Sequence, residues 1–316
     1  MSPPLPIYLF TSKDMSREHE IVTTGISAHP SLAFTSDQSL ASLLICVVPA
    51  SPPPGRSWCP FLDAPSNSSR PLVPVAILDF TDRPTLPVDV APGAGVLSPV
   101  HVFKRSVPLR AEGRSLHLPD YARGPNFHPL PLCALPSYLS PPTSLADFLE
   151  RPFLLSCTLR PSSFSRLWTL AEVSDFVVGR DLPAEKTFLG QVSDGTRSAA
   201  DERYSEILGL SMVVVTANPP NWEGDHRTWE SLASGALVVI DRTSGWAHGW
   251  GLKDGVNCAM YDMGDAAELH SVLERFLGRG EQGYVEAREI GERGRQLVVE
   301  RGRPENRMED VVMLSW

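Results

Sequence analysis

The chain has 316 residues, 42% hydrophobic and 21% charged, the proportions of an ordinary globular protein with room for two domains. Its net charge of −9 argues against a general grip on nucleic-acid phosphates, which needs a clustered positive surface. No uncharged apolar run reaches the ~18 residues of a membrane helix, and the opening Met1-Ser-Pro-Pro-Leu-Pro lacks the basic-then-apolar order of a secretory signal, so the cytoplasm is the default expectation.

Strand-like runs in the first half lie at 7–11, 43–48, 73–80 and 100–107. Between residues 49 and 142 fall 20 of the 30 prolines, so this region is expected to hold short strands on long loops and few helices. From 153 onward the pattern changes. Strands are expected at 153–159, 176–178, 212–216, 237–240 and 257–261, and helices at 201–210, 225–234, 266–277 and 283–301. Strands alternating with helices of this length imply parallel βαβ units and an α/β fold. The division is expected near 144–151, after the last proline pair, giving domains 1–148 and 149–316. Cys46, Cys59, Cys133, Cys157 and Cys258 form no CxxC pair and no zinc spacing, and are expected as free thiols in a reducing compartment.

Chemistry concentrates between the apolar runs at 212–216 and 237–240. There stand Asn218, Glu223, Gly224, Asp225, His226, Arg227, Thr228 and Glu230. A helix starting near Asp225 offers unpaired N–H groups and a partial positive charge, at the carboxyl end of a strand. A phosphate or diphosphate suits that place, and Arg227 in the first turn can add a two-pronged contact. Glu230, three residues on, can face the same crevice, where a carboxylate accepts hydrogen bonds from vicinal hydroxyls. Gly224 lets backbone approach a ligand closely. Plainer alternatives stand beside these. Glu-Gly-Asp also makes a simple helix cap, Trp222 and Trp229 also serve as packing, and Asn218-Pro219-Pro220 is also an ordinary turn. No G-x-G-x-x-G follows any expected strand, since Gly93-Ala-Gly95 lies in a proline-rich loop, so a dinucleotide enzyme is disfavoured.

The run Arg227-Thr-Trp-Glu230-Ser-Leu-Ala-Ser-Gly235-Ala236 resembles the Arg-x-aromatic-Glu-x-x-Ala-x-Gly-Ala pattern of exostosin-like and spore-maturation-type glycosyltransferases of the GT-B class. A second patch is similar to the same group: Ala76-Ile-Leu-Asp79-Phe-Thr-Asp82-Arg83, followed by Val102-Phe103-Lys104-Arg105-Ser106. The Lys253-Asp-Gly-Val-Asn257 segment fits a turn common in these proteins, and fits a plain tight turn as well. The resemblance implies two Rossmann-like lobes, an acceptor-side lobe over 1–148 that is proline-rich and degenerate, and a better formed nucleotide-sugar-binding lobe over 149–316. It implies transfer of a sugar from a nucleotide-sugar to a hydroxyl of a glycan, protein or small-molecule acceptor. The nucleotide-sugar is the substrate; no cofactor, metal, nucleic acid or integral membrane segment is implied. The donor contacts it implies are Asn218, Glu223, Gly224, Asp225, Arg227, Thr228, Glu230, Lys104 and Arg105. Asp79 and Asp82 are the candidate catalytic residues, with His29 a third candidate base. The alternative is a non-catalytic nucleotide-sugar-binding protein. For Asp79, Asp82, Lys104 and Arg105 the plain alternative is an ion pair of little consequence.

Overall fold

The structure is a computed structural model that describes residues 3–11, 16–48, 59, 73–80, 100–105, 126–192, 197–219, 224–242 and 250–315. The chain divides into two compact units, Met1–Pro131 with Pro304–Trp316, and Leu132–Arg303. The joint therefore falls before the expected one, and the last helix belongs to the first unit. The reason lies in the segment that follows Pro131. Its prolines make it look like a linker, yet Leu132, Cys133, Ala134, Leu135 and Tyr138 are buried. Backbone bonds fix it to the second unit, from Ala134 N–H to Gly302 O (3.0 Å) and from Ser140 N–H to Ala233 O (3.0 Å).

The first unit opens with β1 (Leu5–Phe10), α1 (Ser16–Ala28), β2 (Leu32–Phe34), β3 (Leu43–Val47), β4 (Val75–Asp79), β5 (Val100–Arg105) and β6 (Phe127–Leu130). The strands form one sheet in the order β2-β1-β3-β4-β5-β6, parallel throughout. β3 and β4 are buried at every position, as the unbroken apolar runs Leu-Leu-Ile-Cys-Val and Val-Ala-Ile-Leu require of strands covered on both faces. α1 was not expected, because Thr23, Thr24 and Gly25 are weak helix formers. Tertiary packing overrides them: Ile21, Val22 and Ile26 make a buried stripe. Gly25 leaves room for the last helix, since a Cβ there would lie 2.6 Å from both Met308 Cγ and Pro304 O.

Cys46 and Cys59 are joined by a disulfide, which corrects the expectation of five free thiols. Cys46 points from β3 into a buried cluster with Val48, Val75 and Ile77, and Cys59 returns to that cluster across 13 residues. Spacing rules built for metal sites and redox pairs do not detect such a staple. Cys133, Cys157 and Cys258 are free and buried. Among the described residues no helix is long and apolar enough to cross a membrane.

The second unit holds α2 (Leu145–Leu149), β7 (Phe153–Cys157), α3 (Phe164–Gly179), β8 (Thr187–Leu189), α4 (Arg197–Gly209), β9 (Ser211–Thr216), α5 (His226–Ala233), β10 (Leu237–Asp241), β11 (Ala259–Tyr261), α6 (Ala266–Leu277) and α7 (Glu281–Arg301). Its sheet runs β11-β10-β9-β7-β8, again all parallel. The helices expected at 266–277 and 283–301 are α6 and α7. The strand expected at 176–178 is instead the last turn of α3. A three-residue apolar run carries no period of its own. In α3 the buried positions Arg166, Thr169, Val173 and Phe176 follow helical spacing. The chain's last helix, α8 (Pro304–Ser315), packs on α1 in the first unit.

Candidate functional site

Strand order places the site. From β7 the chain steps to β8 on one side, then to β9, β10 and β11 on the other. In an open parallel sheet a ligand crevice forms at such a reversal, beyond the carboxyl ends of the two diverging strands. Those ends are Cys157 of β7 and Thr216 of β9. The helices that follow them, α3 and α5, begin at the same edge with side-chain caps. Ser163 accepts from the Arg166 N–H, and Asp225 from the Thr228 N–H.

Asp225 therefore is the helix cap that its residue type allows, and it is more than that. Its Oδ1 accepts from the Thr228 N–H (3.1 Å) and hydroxyl (3.3 Å). Its Oδ2 receives Arg166 Nη2 at 3.0 Å and Arg227 Nη1 at 3.4 Å. Asp225 thus gathers two guanidiniums at the start of α5, where the helix's own partial positive charge also lies. Arg166 is nearly buried; the Arg227 side chain is 29% exposed and is the cation of the pair that reaches solvent. Glu230, one turn deeper, is 1% exposed, and Trp229 beside it is a packing residue that Gly302 abuts.

Asn218 forms the frame of the site. Its N–H donates to Asp241 Oδ1 (2.8 Å) and its Nδ2 to the Asp241 carbonyl (3.4 Å). Its carbonyl accepts from Ser165 Oγ (2.9 Å), and its Oδ1 from the Gly224 N–H. The residue expected to touch the donor thus uses its polar groups to hold protein, and it is fully buried. Gly224 has a φ of 75°, a left-handed conformation that suits glycine. Burial, with the negative charge of Asp225 added, outweighs the Asn218 hydrogen bonds and pushes the Asp241 carboxyl up to about 6. Burial also pushes the Cys157 thiol up to about 12 and the Tyr261 hydroxyl well above its ordinary range.

The patch in the first unit is arranged differently from expectation. Asp79 ends β4, Lys104 is its register partner on β5, and the two bind each other at 2.8 Å with both side chains fully buried. The expected base and the expected phosphate ligand are therefore partners in one internal ion pair. Its burial also sets it apart from the inconsequential surface pair that was the plain alternative. Arg105 is the last residue of β5, and His29 is half-buried, its Nδ1 accepting from the Ser31 N–H (3.2 Å). Asp82, Glu223 and Trp222 lie outside the described residues. The Lys253–Asn257 segment is a tight turn held by its own bonds, Lys253 N–H to Asn257 Oδ1 at 2.8 Å among them. Among the described residues no group of three or more His, Cys, Asp or Glu side chains is placed to hold a metal ion. Arg166, Ser165 and Asp241 are the members of the site that the sequence did not single out. For Asp241 a signal existed, an acidic residue ending a buried strand, a feature it shares with Asp79.

No protein-family model matches the chain, and no curated protein matches it. Solved structures do. A glycosyltransferase from Rickettsia africae is similar over 100% of this chain and 98% of its own, with 11% identity and a TM-score of 0.54. Anabaena HepE, in complex with UDP-glucose, is similar over 98% of each chain at 10% identity, TM-score 0.51. Sucrose-phosphate synthase from Thermosynechococcus elongatus is similar over 98% of each chain at 13% identity, TM-score 0.50. At these identities the likeness is one of fold: two parallel α/β sheets with flanking helices, as in GT-B glycosyltransferases.

Proposed function

We propose that the chain is a glycosyltransferase that takes a nucleotide-sugar at the carboxyl edge of the second sheet and moves the sugar to an acceptor hydroxyl. The observation that carries this is the start of α5. Arg227 and Glu230 stand one turn apart on a helix that begins where β7 and β9 diverge. Arg227 and the helix start meet the diphosphate, and Glu230 accepts from the ribose hydroxyls. Thr228, Gly224 and Glu223 complete the donor contacts, while Asn218 and Asp225 hold them in place. In the transfer the acceptor oxygen bonds to the anomeric carbon, and the bond from that carbon to the diphosphate breaks. The electron pair leaves on the diphosphate, and a base takes the acceptor's proton. The leaving charge is met by Arg227 and the helix, without a metal. That HepE is solved with UDP-glucose supports a donor of this kind.

The test is a thermal-shift screen against UDP-, GDP- and ADP-sugars, since a ligand that binds only the folded form raises its Tm. One donor class is expected to stabilise the protein, and no shift with any of them overturns the proposal. Glu230→Gln is expected to remove most of that shift while the ligand-free Tm stays within a few degrees. Arg227→Ala is expected to weaken nucleoside diphosphate by about 1.5–3 kcal/mol, the scale of a hydrogen bond to a charged group. An equal loss for the nucleoside alone would take the diphosphate away from Arg227. Turnover is expected to survive chelation. A second reading, a nucleotide-sugar-binding protein without turnover, draws on the burial of Asp79 against Lys104. Binding without donor hydrolysis or transfer to any of a broad acceptor panel would select it.

A further inference from the structure

Asp241 ends β10 beside the diverging strands, buried, and no step described so far uses it. Among the described residues, its hydrogen bonds beyond the sheet go to Asn218. Asn218 donates to it twice, from N–H to Oδ1 (2.8 Å) and from Nδ2 to the carbonyl (3.4 Å). The other end of the Asn218 side chain accepts the Gly224 N–H, immediately before the Asp225 cap of α5. Ser165, from the first turn of α3, closes the set on the Asn218 carbonyl. One buried carboxylate thus fixes residue 218, and through it residue 224, at the two ends of the connection that leads into α5. We infer that Asp241 is a positioning residue, acting through Asn218 to hold the entrance of α5 in the geometry that receives an anionic ligand.

The charge on this brace is costly in place, which gives the inference a pH signature. Asp241 faces Tyr261 from β11 and Asp225 from the α5 cap, the latter with Arg166 and Arg227 attached; Asn218, just past β9, is neutral. Burial and Asp225 favour the protonated form, and the Asn218 bonds favour the ionised one. The brace is therefore charged well above pH 6 and loses its charge as pH falls through about that value. Arg242, the next residue, turns outward to Asp254, Asp262 and Glu268 and does not neutralise it.

The inference rests on the proposed donor site only for its ligand, so two measurements separate the failures. The first needs no ligand: amide exchange at residues 218 and 224 in full-length wild type, Asp241→Ala and Asp241→Asn. The alanine variant is expected to exchange about tenfold faster at both amides at pH 7.5, the scale of one lost hydrogen bond to a charge. The asparagine variant, which keeps an acceptor for the Asn218 N–H but not its charge, is expected to exchange at a rate between wild type and the alanine variant. Unchanged exchange in Asp241→Ala overturns the inference, whatever the protein binds. The second is affinity for UDP-glucose between pH 5 and 8, a probe whose doubly esterified diphosphate gains no proton in that range. Wild type is expected to weaken as pH falls through about 6, and Asp241→Asn to show a flat profile in that range. A wild-type profile shared by Asp241→Asn, or full UDP-glucose affinity in an alanine variant whose amides have loosened, overturns the positioning role. No UDP-glucose binding by wild type refutes the donor site instead, and the exchange result still decides the brace.

Discussion

Lys104→Met is expected to destabilise the first unit by about 3–5 kcal/mol, the loss seen when one partner of a buried ion pair is removed. Both side chains of the Asp79–Lys104 pair are fully buried, at 2.8 Å. Methionine fills much the same volume, so packing changes little and the effect is electrostatic: it leaves the Asp79 carboxylate without its counter-charge. Asp79 and Lys104 are register partners on adjacent central strands, so the pair is built into the sheet. Replacing both, Asp79→Leu with Lys104→Met, is expected to recover most of the loss, because an apolar pair of similar volume carries no desolvation cost. The measure is the urea midpoint of the first unit at pH 7. A single variant that unfolds with wild type would mean that water reaches the pair.

Gly291→Ala is expected to destabilise the second unit strongly for so small a substitution. In an unpacked helix this change stabilises by up to ~1 kcal/mol. In α7 the sign reverses. A Cβ at 291 would lie 2.6 Å from Gly235 O and 2.8 Å from the Ala236 carbonyl carbon, both backbone atoms of the turn between α5 and β10. Backbone at that distance has to move, and overpacking of this kind costs about 1–3 kcal/mol or more. Gly209, at the end of α4, is the control: a Cβ there meets nothing within 4 Å, so Gly209→Ala is expected to be neutral or mildly stabilising. Thermal unfolding of the two variants side by side reads the contrast. If Gly291→Ala melts no lower than Gly209→Ala, the close approach of α7 to that turn is wrong.

What could be read from the residues depended on how far apart the partners are. β3, β4, β9 and β10 were legible because a strand buried on both faces is an unbroken apolar run. The start of α5 was legible because cap, arginine and glutamate fall within six residues. α1 was not, because its helix formers are weak and the reason for Gly25 is α8, nearly the whole chain away. Arg166 and Asp241 were missed for the same reason: their partners stand 59 and 23 residues distant. An arginine in an apolar helix carries no local mark of the carboxylate it will find. Asp79 and Lys104 were noticed through the family resemblance, but only the register of β4 with β5 turns them toward each other rather than toward a ligand.

The return of α8 to the first unit has a consequence for the newborn chain. Six strands and α1 have been made by residue 130, yet the helix that lies over Gly25 follows about 170 residues later. At about 5–20 residues added per second, the intervening stretch occupies the ribosome for on the order of ten seconds. The later half can close while the earlier half still waits with the Ile21, Val22 and Ile26 helix uncovered, so the order of birth and the order of completion are reversed.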